Sequence, residues 1–240
     1  MALVLENGIC LLQSSTGPQL LEKSLTPASG TPSSIADGAT LDATLANGAK
    51  VHDPGGHFQA IADDGSKLSL ENDTSDETAN GSAWALAARI WWPDALIGDV
   101  DVEARVKSSS SGGTTQLFMG VGAGNDAGVA NEGGIVGIRV GRGVGLAAYA
   151  GGQSDIDAVS GTSSVTVTDF QWIRFTIVGE TITWYAGGSG ATPSYSTFGT
   201  AEKWDRAGGA RYAYLSIGGT GATWAVTNWK FKGYQRIALP

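Results

Sequence analysis

The sequence predicts an all-β protein built as a two-sheet antiparallel sandwich, and three observations predict it. Val100-Asp101-Val102-Glu103-Ala104-Arg105-Val106-Lys107 alternates apolar and charged residues without a break, the period of a half-buried strand. Further runs of β-branched and aromatic residues are separated by clusters of Gly, Ser, Asn and Asp, which is strand-and-turn punctuation. No stretch sustains a 3.6-residue period over three turns, so helices have no support. Many short strands with long Gly-rich connections imply a sandwich of jelly-roll type.

The elements follow in order. Residues 1–50 open with an apolar segment (Leu3, Val4, Leu5, Ile9, Leu11, Leu12) and continue into Thr26-Pro27-Ala28-Ser29-Gly30-Thr31-Pro32-Ser33-Ser34. Pro, Gly and Ser at that density suit an extended arm better than a packed element. The expected division is therefore an N-terminal arm over residues 1–50 and a jelly-roll domain over 51–240. From about residue 58 the period is two. Besides the run at Val100, strands are expected at Ala83–Trp91, Gln116–Val121, Gly134–Arg142, Val144–Ala150, Ser164–Thr168, Gln171–Val178, Thr181–Ala186, Arg211–Ile217 and Thr223–Tyr234. Gly141-Arg142-Gly143 and Gly179-Glu180 sit where hairpins must turn, and glycine supplies positive φ there at no steric cost. Around Gly179, Ile173, Phe175 and Ile177 should share the buried face, with Trp172, Arg174 and Thr176 on the other.

Composition narrows the partners. The chain has 240 residues, of which 36 are glycine and 16% are charged, with a net charge of −8 and a sequence pI near 4.7. The glycines follow no collagen period. An acidic, Lys-poor surface repels phosphate backbones and argues against nucleic acid as a partner. Cys10 is the only cysteine, which excludes intrachain disulfides and cysteine-based metal cages. No apolar run approaches the roughly 20 residues of a membrane helix. The first residues, Met1 to Gly8, lack a basic region and are broken by Glu6, a poor match to a secretory signal.

Two stretches carry a family resemblance. Residues 171–188, from Gln171-Trp172-Ile173-Arg174-Phe175 to Trp184-Tyr185-Ala186-Gly187-Gly188, resemble the hairpin of concanavalin A-like and laminin-G-like jelly rolls. There a Trp-led strand turns into one ending in aromatic-x-Gly. Tyr214-Leu215-Ser216-Ile217-Gly218, with Thr227-Asn228-Trp229-Lys230-Phe231-Lys232-Gly233-Tyr234, is similar to that family's last strands, and Gly98 to Val106 to an early one. The resemblance covers roughly residues 58–240. It implies the fold, which hosts lectins, hydrolases, adhesion modules and virus coat components, and so leaves function to the site.

Catalytic and metal sites have weak sequence support. Asp99, Asp101 and Glu103 fall at i, i+2 and i+4 and share one strand face. Family 16 glycoside hydrolases of this fold carry Glu-x-Asp-x-Glu on a concave-face strand, but Asp99 stands one methylene short at the first position. The same face continues with Arg105 and Lys107, which reads as a mixed-charge solvated surface. His52 and His57 flank Asp53-Pro54-Gly55-Gly56, a turn, with no further His or Cys to complete a zinc site. Asn72-Asp73-Thr74-Ser75-Asp76-Glu77 offers oxygen ligands without an EF-hand spacing. Gly141-Arg142-Gly143-Val144-Gly145 is followed by no helical pattern, so a phosphate loop is rejected in favour of a hairpin. No catalytic residue, cofactor or metal is expected.

Trp91-Trp92 is the stronger signal. Adjacent aromatics on a strand face opposite ways, so one of the two leaves the main core and is a candidate for stacking on a sugar or filling an interface. The expectation is a non-catalytic structural and attachment protein of a bacteriophage-type virion, with Leu3, Val4, Leu5, Ile9, Leu11 and Leu12 contacting other virion proteins or copies of itself. Cell-surface glycans are a further partner, and membrane insertion is not expected. The alternative is an extracellular lectin or a weak glycoside hydrolase.

Overall fold

The computed structural model describes the strands named below, together with the side chains of Leu70 and of residues 90–92, 98–109, 116–122, 136–141, 145–148, 164–201, 212–217 and 223–233. β1 (Ala2–Glu6) and β2 (Ile9–Gln13) pair only with each other. Sheet I contains β3 (Gln19–Leu25), β6 (Phe58–Asp63), β7 (Leu68–Asn72), β9 (Leu96–Ser108), β14 (Gln171–Val178), β15 (Thr181–Ala186), β16 (Ser196–Ala201) and β18 (Thr223–Gln235). Its order is β16-β15-β14-β9-β18-β7-β6, with β3 also on β18. Sheet II contains β4 (Leu41–Thr44), β5 (Lys50–Asp53), β8 (Arg89–Trp91), β10 (Gln116–Gly122), β11 (Ile135–Gly141), β12 (Leu146–Gly151), β13 (Asp157–Ser163) and β17 (Tyr212–Gly218). Its order is β13-β12-β11-β10-β17-β8-β5-β4. The ladders described between these strands are antiparallel, and the protein is the two-sheet jelly-roll sandwich that the period-two pattern predicts.

The alternation of each strand decides which side chains meet between the sheets. Sheet I contributes Val100, Val102, Ala104 and Val106 of β9 and Ile173, Phe175 and Ile177 of β14, all buried. Sheet II answers with Leu117, Met119 and Val121 of β10 and Ala213, Leu215 and Ile217 of β17. The expected faces of the β14–β15 hairpin are those observed. Val178 pairs with Thr181 across the two-residue turn, and Gly179 has φ +57° at its first central position, the requirement of a type II′ turn.

β18 changes parity in mid-strand. Trp224 and Val226 point into the core before residue 227, and Trp229 and Phe231 do so after residue 228. Thr227 pairs with Arg105 while Lys230 pairs with Glu103, so β18 has one more residue than β9 across this stretch. That is a β-bulge. Asn228 absorbs it with φ +53°, the one positive φ among non-glycine residues described, in a region that Asn tolerates better than most side chains. The bulge also divides β18's other edge, because β7 pairs with residues before it and β3 with residues from Trp229 onward.

Two expectations meet a different outcome. The segment read as an arm supplies β3 to sheet I and β4 to sheet II, and the expected boundary after residue 50 falls within β5, the partner of β4. Backbone pairing to β18 and β5 overrides the turn-rich composition around it, which carries no information on distant edges. The side chains of Leu3, Val4, Leu5, Ile9, Leu11 and Leu12 lie outside the described residues, although the β1–β2 register sets Leu3 opposite Leu12 and Leu5 opposite Cys10. Ser164–Thr168 is not a strand. Val167 is buried by packing, and its carbonyl accepts a hydrogen bond from Ser108 N–H at 2.8 Å, while Thr166 C=O closes a turn with Asp169 N–H. Alternation there reflects packing without a ladder. β16 went unpredicted because Ser196-Thr197-Phe198-Gly199-Thr200-Ala201 lacks a strong apolar period, and its register shifts at Phe198.

Phe175 is fully buried at the centre of sheet I. Phe175→Ala is expected to lower stability by about 3–5 kcal/mol through the cavity it leaves, read as a shifted midpoint in urea unfolding with an unchanged slope.

Candidate functional site

Two outer faces flank the core, and they differ in chemistry. On sheet I the strand registers lay polar residues out as a grid. Lys232, Asp101, Thr176 and Thr183 form one row, and Lys230, Glu103, Arg174 and Tyr185 the next. Thr227, Arg105 and Trp172 form a third. Every carboxylate of the Asp99-x-Asp101-x-Glu103 run is engaged. Asp99 accepts the backbone N–H of Gly179 at 2.8 Å, locking the hairpin turn. Asp101 accepts two bonds from Arg174, at 2.8 and 2.7 Å. Glu103 takes the Lys230 ammonium at 2.5 Å and the Tyr195 hydroxyl at 2.6 Å.

A strap, residues 187–195, folds back over this face. Trp172 Nε1 donates to Gly190 C=O at 2.9 Å, and Arg105 donates to Ser189 C=O at 3.1 Å. Tyr195 returns over the grid so that Arg174 lies 5.4 Å from the ring centres of both Tyr185 and Tyr195. Arg105 in turn lies over Phe170 at 4.7 Å. The hydrogen bond and charge of Asp101 hold the Arg174 guanidinium protonated above its already high range. Burial foremost, and then the bond to Glu103, push the Tyr195 phenol well above its ordinary value of 10.0. Between these groups lies a cleft of about 300 Å³ lined by Asp101, Glu103, Arg174, Lys230, Phe231 and Lys232. Asp101 and Glu103 thus each serve a structural ion pair, with Arg174 and Lys230 respectively.

The outer face of sheet II is aromatic. Alternation turns Gln116, Phe118, Tyr214, Ser216 and Trp91 away from the core residues Leu117, Leu215 and Ile90. All five are nonetheless buried. Phe118 stacks on Tyr214 with centroids 5.7 Å apart and planes 24° apart, and Trp91 meets Tyr212 edge-on at 5.7 Å. Phe118 also covers a glycine pair, Gly120 opposite Gly137. A Cβ on Gly120 would lie 2.4 Å from the Phe118 ring, and one on Gly137 2.4 Å from Met119 C=O. Gln116 Oε1 and Ser216 Oγ are buried here without a hydrogen-bond partner. Arg139 and Tyr212 are half-buried. None of the side chains described on this face is a carboxylate.

Trp91 and Trp92 do face opposite ways. Trp92 belongs to the core, against Trp229 and Phe231 at 6.1 and 5.7 Å, so it offers no ring to a ligand or partner. Trp91 leaves the core, as adjacency on a strand requires, but is covered rather than exposed. His52 lies in β5 with its side chain outside the described residues, and His57 and most of the acidic run after Asn72 also lie outside them. Sequence reasoning missed Gln116, Ser216, Tyr185 and Tyr195. The first two appear only when β10 and β17 are seen as neighbours, and Tyr195 because its Ser/Pro-rich surroundings read as loop.

No protein-family model matches the sequence, and no curated protein matches it significantly. Solved structures resemble it in fold. One comes from the endo-acting O-glycanases with which prominent members of the human gut microbiota initiate mucin breakdown, with TM-score 0.54 and 8% identity over 73% of this chain and 83% of that one. Lectin II from Ulex europaeus has TM-score 0.54 and 10% identity over 90% and 99%. The carbohydrate recognition domain of Emp46p has TM-score 0.51 and 11% identity over 79% and 89%. Likeness at such identities concerns the fold, and the fold is a concanavalin A-like, lectin-type jelly roll.

Tyr195 generates a pH prediction. The unfolded chain releases its phenolic proton near pH 10.0 and the folded chain holds it to higher pH. Its contribution is therefore complete below that pH and is lost as the pH rises above it. Tyr195→Phe should cost about 1–2 kcal/mol at pH 7 through the lost bond to Glu103. Its stability should also fall less steeply than the parent's above pH 10, as read from paired urea melts.

Proposed function

We propose that this chain is a non-catalytic glycan-binding jelly-roll protein whose ligand sits in the cleft on the outer face of sheet I. The observation that carries the reading is the cleft of about 300 Å³ lined by Asp101, Glu103, Arg174, Lys230, Phe231 and Lys232, beside the half-buried rings of Tyr185 and Tyr195 that flank Arg174. Partly exposed carboxylate, ammonium and guanidinium groups have hydrogen-bonding capacity left for sugar hydroxyls, and a sugar's C–H face can pack on an aromatic ring at the cleft edge. The engagement of Asp99, Asp101 and Glu103 in structural bonds supports the non-catalytic half. The binding of glycans by proteins of similar fold is consistent with the reading.

The place of the protein is a second part of the proposal. A two-stranded hairpin is marginal alone in water, yet β1 and β2 pair with neither main sheet. One of its faces reads Leu3, Leu5, Cys10 and Leu12 by register. Docking of this hairpin onto other virion proteins or further copies of the chain would cover it, and supports a structural and attachment role on a bacteriophage-type particle. An extracellular lectin is the competing reading.

Two experiments follow. A glycan array probed with the purified protein should give binding that Lys232→Ala, at the cleft wall, weakens about tenfold, the equivalent of one lost hydrogen bond of about 1.4 kcal/mol. A screen over β-glucans and galactans should give no turnover. Hydrolysis abolished by Glu103→Gln would overturn the non-catalytic reading. Removal of residues 1–14 should leave the unfolding midpoint unchanged and impair co-assembly, whereas removal of residues 1–34 deletes β3 and should lower the midpoint.

A further inference from the structure

The cleft on sheet I continues into a second one. This neighbour has a volume of about 270 Å³, and its lining includes Asp99, Thr176, Val178 and Gly233. Both clefts are bordered by Asp101, Arg174 and Lys232, so they adjoin as one groove, with the Arg174–Asp101 pair at its middle. From Glu103 to Asp99 the groove follows β9 for about 13 Å, which a single sugar ring cannot span. Its two ends differ. Beyond Glu103 stands the strap, where Tyr195 donates to Glu103, Arg105 to Ser189 C=O and Trp172 Nε1 to Gly190 C=O. Only 12% of the Glu103 side chain is exposed. Beyond Asp99 comes the β14–β15 turn, where Val178 is 60% exposed and Gly179 and Glu180 are exposed with it. The groove is blind at the strap and open at the turn.

We propose that this groove takes the end of a glycan chain rather than an internal stretch, with the terminal sugar against Tyr195 and Glu103 and the following ones leaving past Val178. This rests on the glycan reading above and narrows it to terminal structures. A chain running straight through would have to displace the strap, breaking those hydrogen bonds and lifting the Tyr195 ring from Arg174. A terminal sugar leaves them in place. Surface glycans are anchored through their reducing end, so the end they present is the non-reducing one. The chemistry of the groove is graded in the same direction. Near the strap, Lys230 and Glu103 offer charged partners to the several free hydroxyls of a terminal sugar. At the mouth, Val178 offers apolar surface to the C–H face of a following one.

The test uses the full chain on an array of glycans printed through their reducing ends. The glycans come in matched pairs, the second member carrying one unlike sugar added to the non-reducing terminus of the first. Each glycan that is bound is expected to lose at least about tenfold in affinity when it is capped in this way. Tyr195→Ala opens the blind end and should reduce that penalty to about threefold or less. Should this variant fail to fold, the matched pairs on the parent protein decide the matter alone. A full penalty in a folded Tyr195→Ala chain overturns the blind end as its cause. Equal binding of a glycan and its capped partner by the parent overturns the chain-end inference and leaves the glycan reading standing. An array without binding overturns both.

Discussion

The indole of Trp184 is the constraint on which much of the remaining structure depends. It is fully buried between the sheets, and a buried indole N–H needs an acceptor. Its acceptor is Gly137 C=O on the opposite sheet, at 2.8 Å. One hydrogen bond therefore spans the core and ties β15 of sheet I to β11 of sheet II. Apolar packing alone would tolerate small sliding of one sheet over the other, whereas this bond does not, because a misplaced donor would be left unsatisfied in a medium without water.

The same glycine links the core to the outer face. Gly137 pairs with Gly120, and the absence of both side chains lets the Phe118 ring lie across the pair. Phe118 then stacks on Tyr214 and sets the floor of the aromatic face. The order of causes runs from the buried indole, through a glycine pair that no larger residue can replace, to the buried aromatic layer outside sheet II. The core and that layer share their backbone positions.

On the outer face of sheet I the same side chains build a structural network and line the cleft. Its acids, bases and aromatic rings satisfy one another through the strap at residues 187–195. Half-exposed ion pairs of this kind each contribute little, on the order of 0–1 kcal/mol. Together with the Trp172 and Tyr195 bonds they fix the strap against the sheet. Sheet II presents the opposite balance, in which Phe118, Tyr214, Trp91, Gln116 and Ser216 are all buried on its outer side. Access to solvent, rather than aromatic content, separates a candidate binding face from a structural one.

The sequence by itself determined the all-β class, the hairpin at Gly179 and the faces of β9, β14 and β15. Each of these is a local consequence of period-two alternation and of a glycine with positive φ. It also determined that Trp91 and Trp92 diverge, since neighbours on a strand must. It left undecided what became of each divergent ring, whether Asp99, Asp101 and Glu103 were free, and whether residues 1–50 were an arm. Those outcomes depend on which strands become neighbours. Pairing is set by non-local ladders and by the extra residue at Asn228, and alternation along one strand is blind to its partner across the sheet. Only the tertiary structure could bring Arg89 beside Ser216, or Lys230 beside Glu103, because more than a hundred residues of chain separate the members of each pair and only the assembled sheet brings them together.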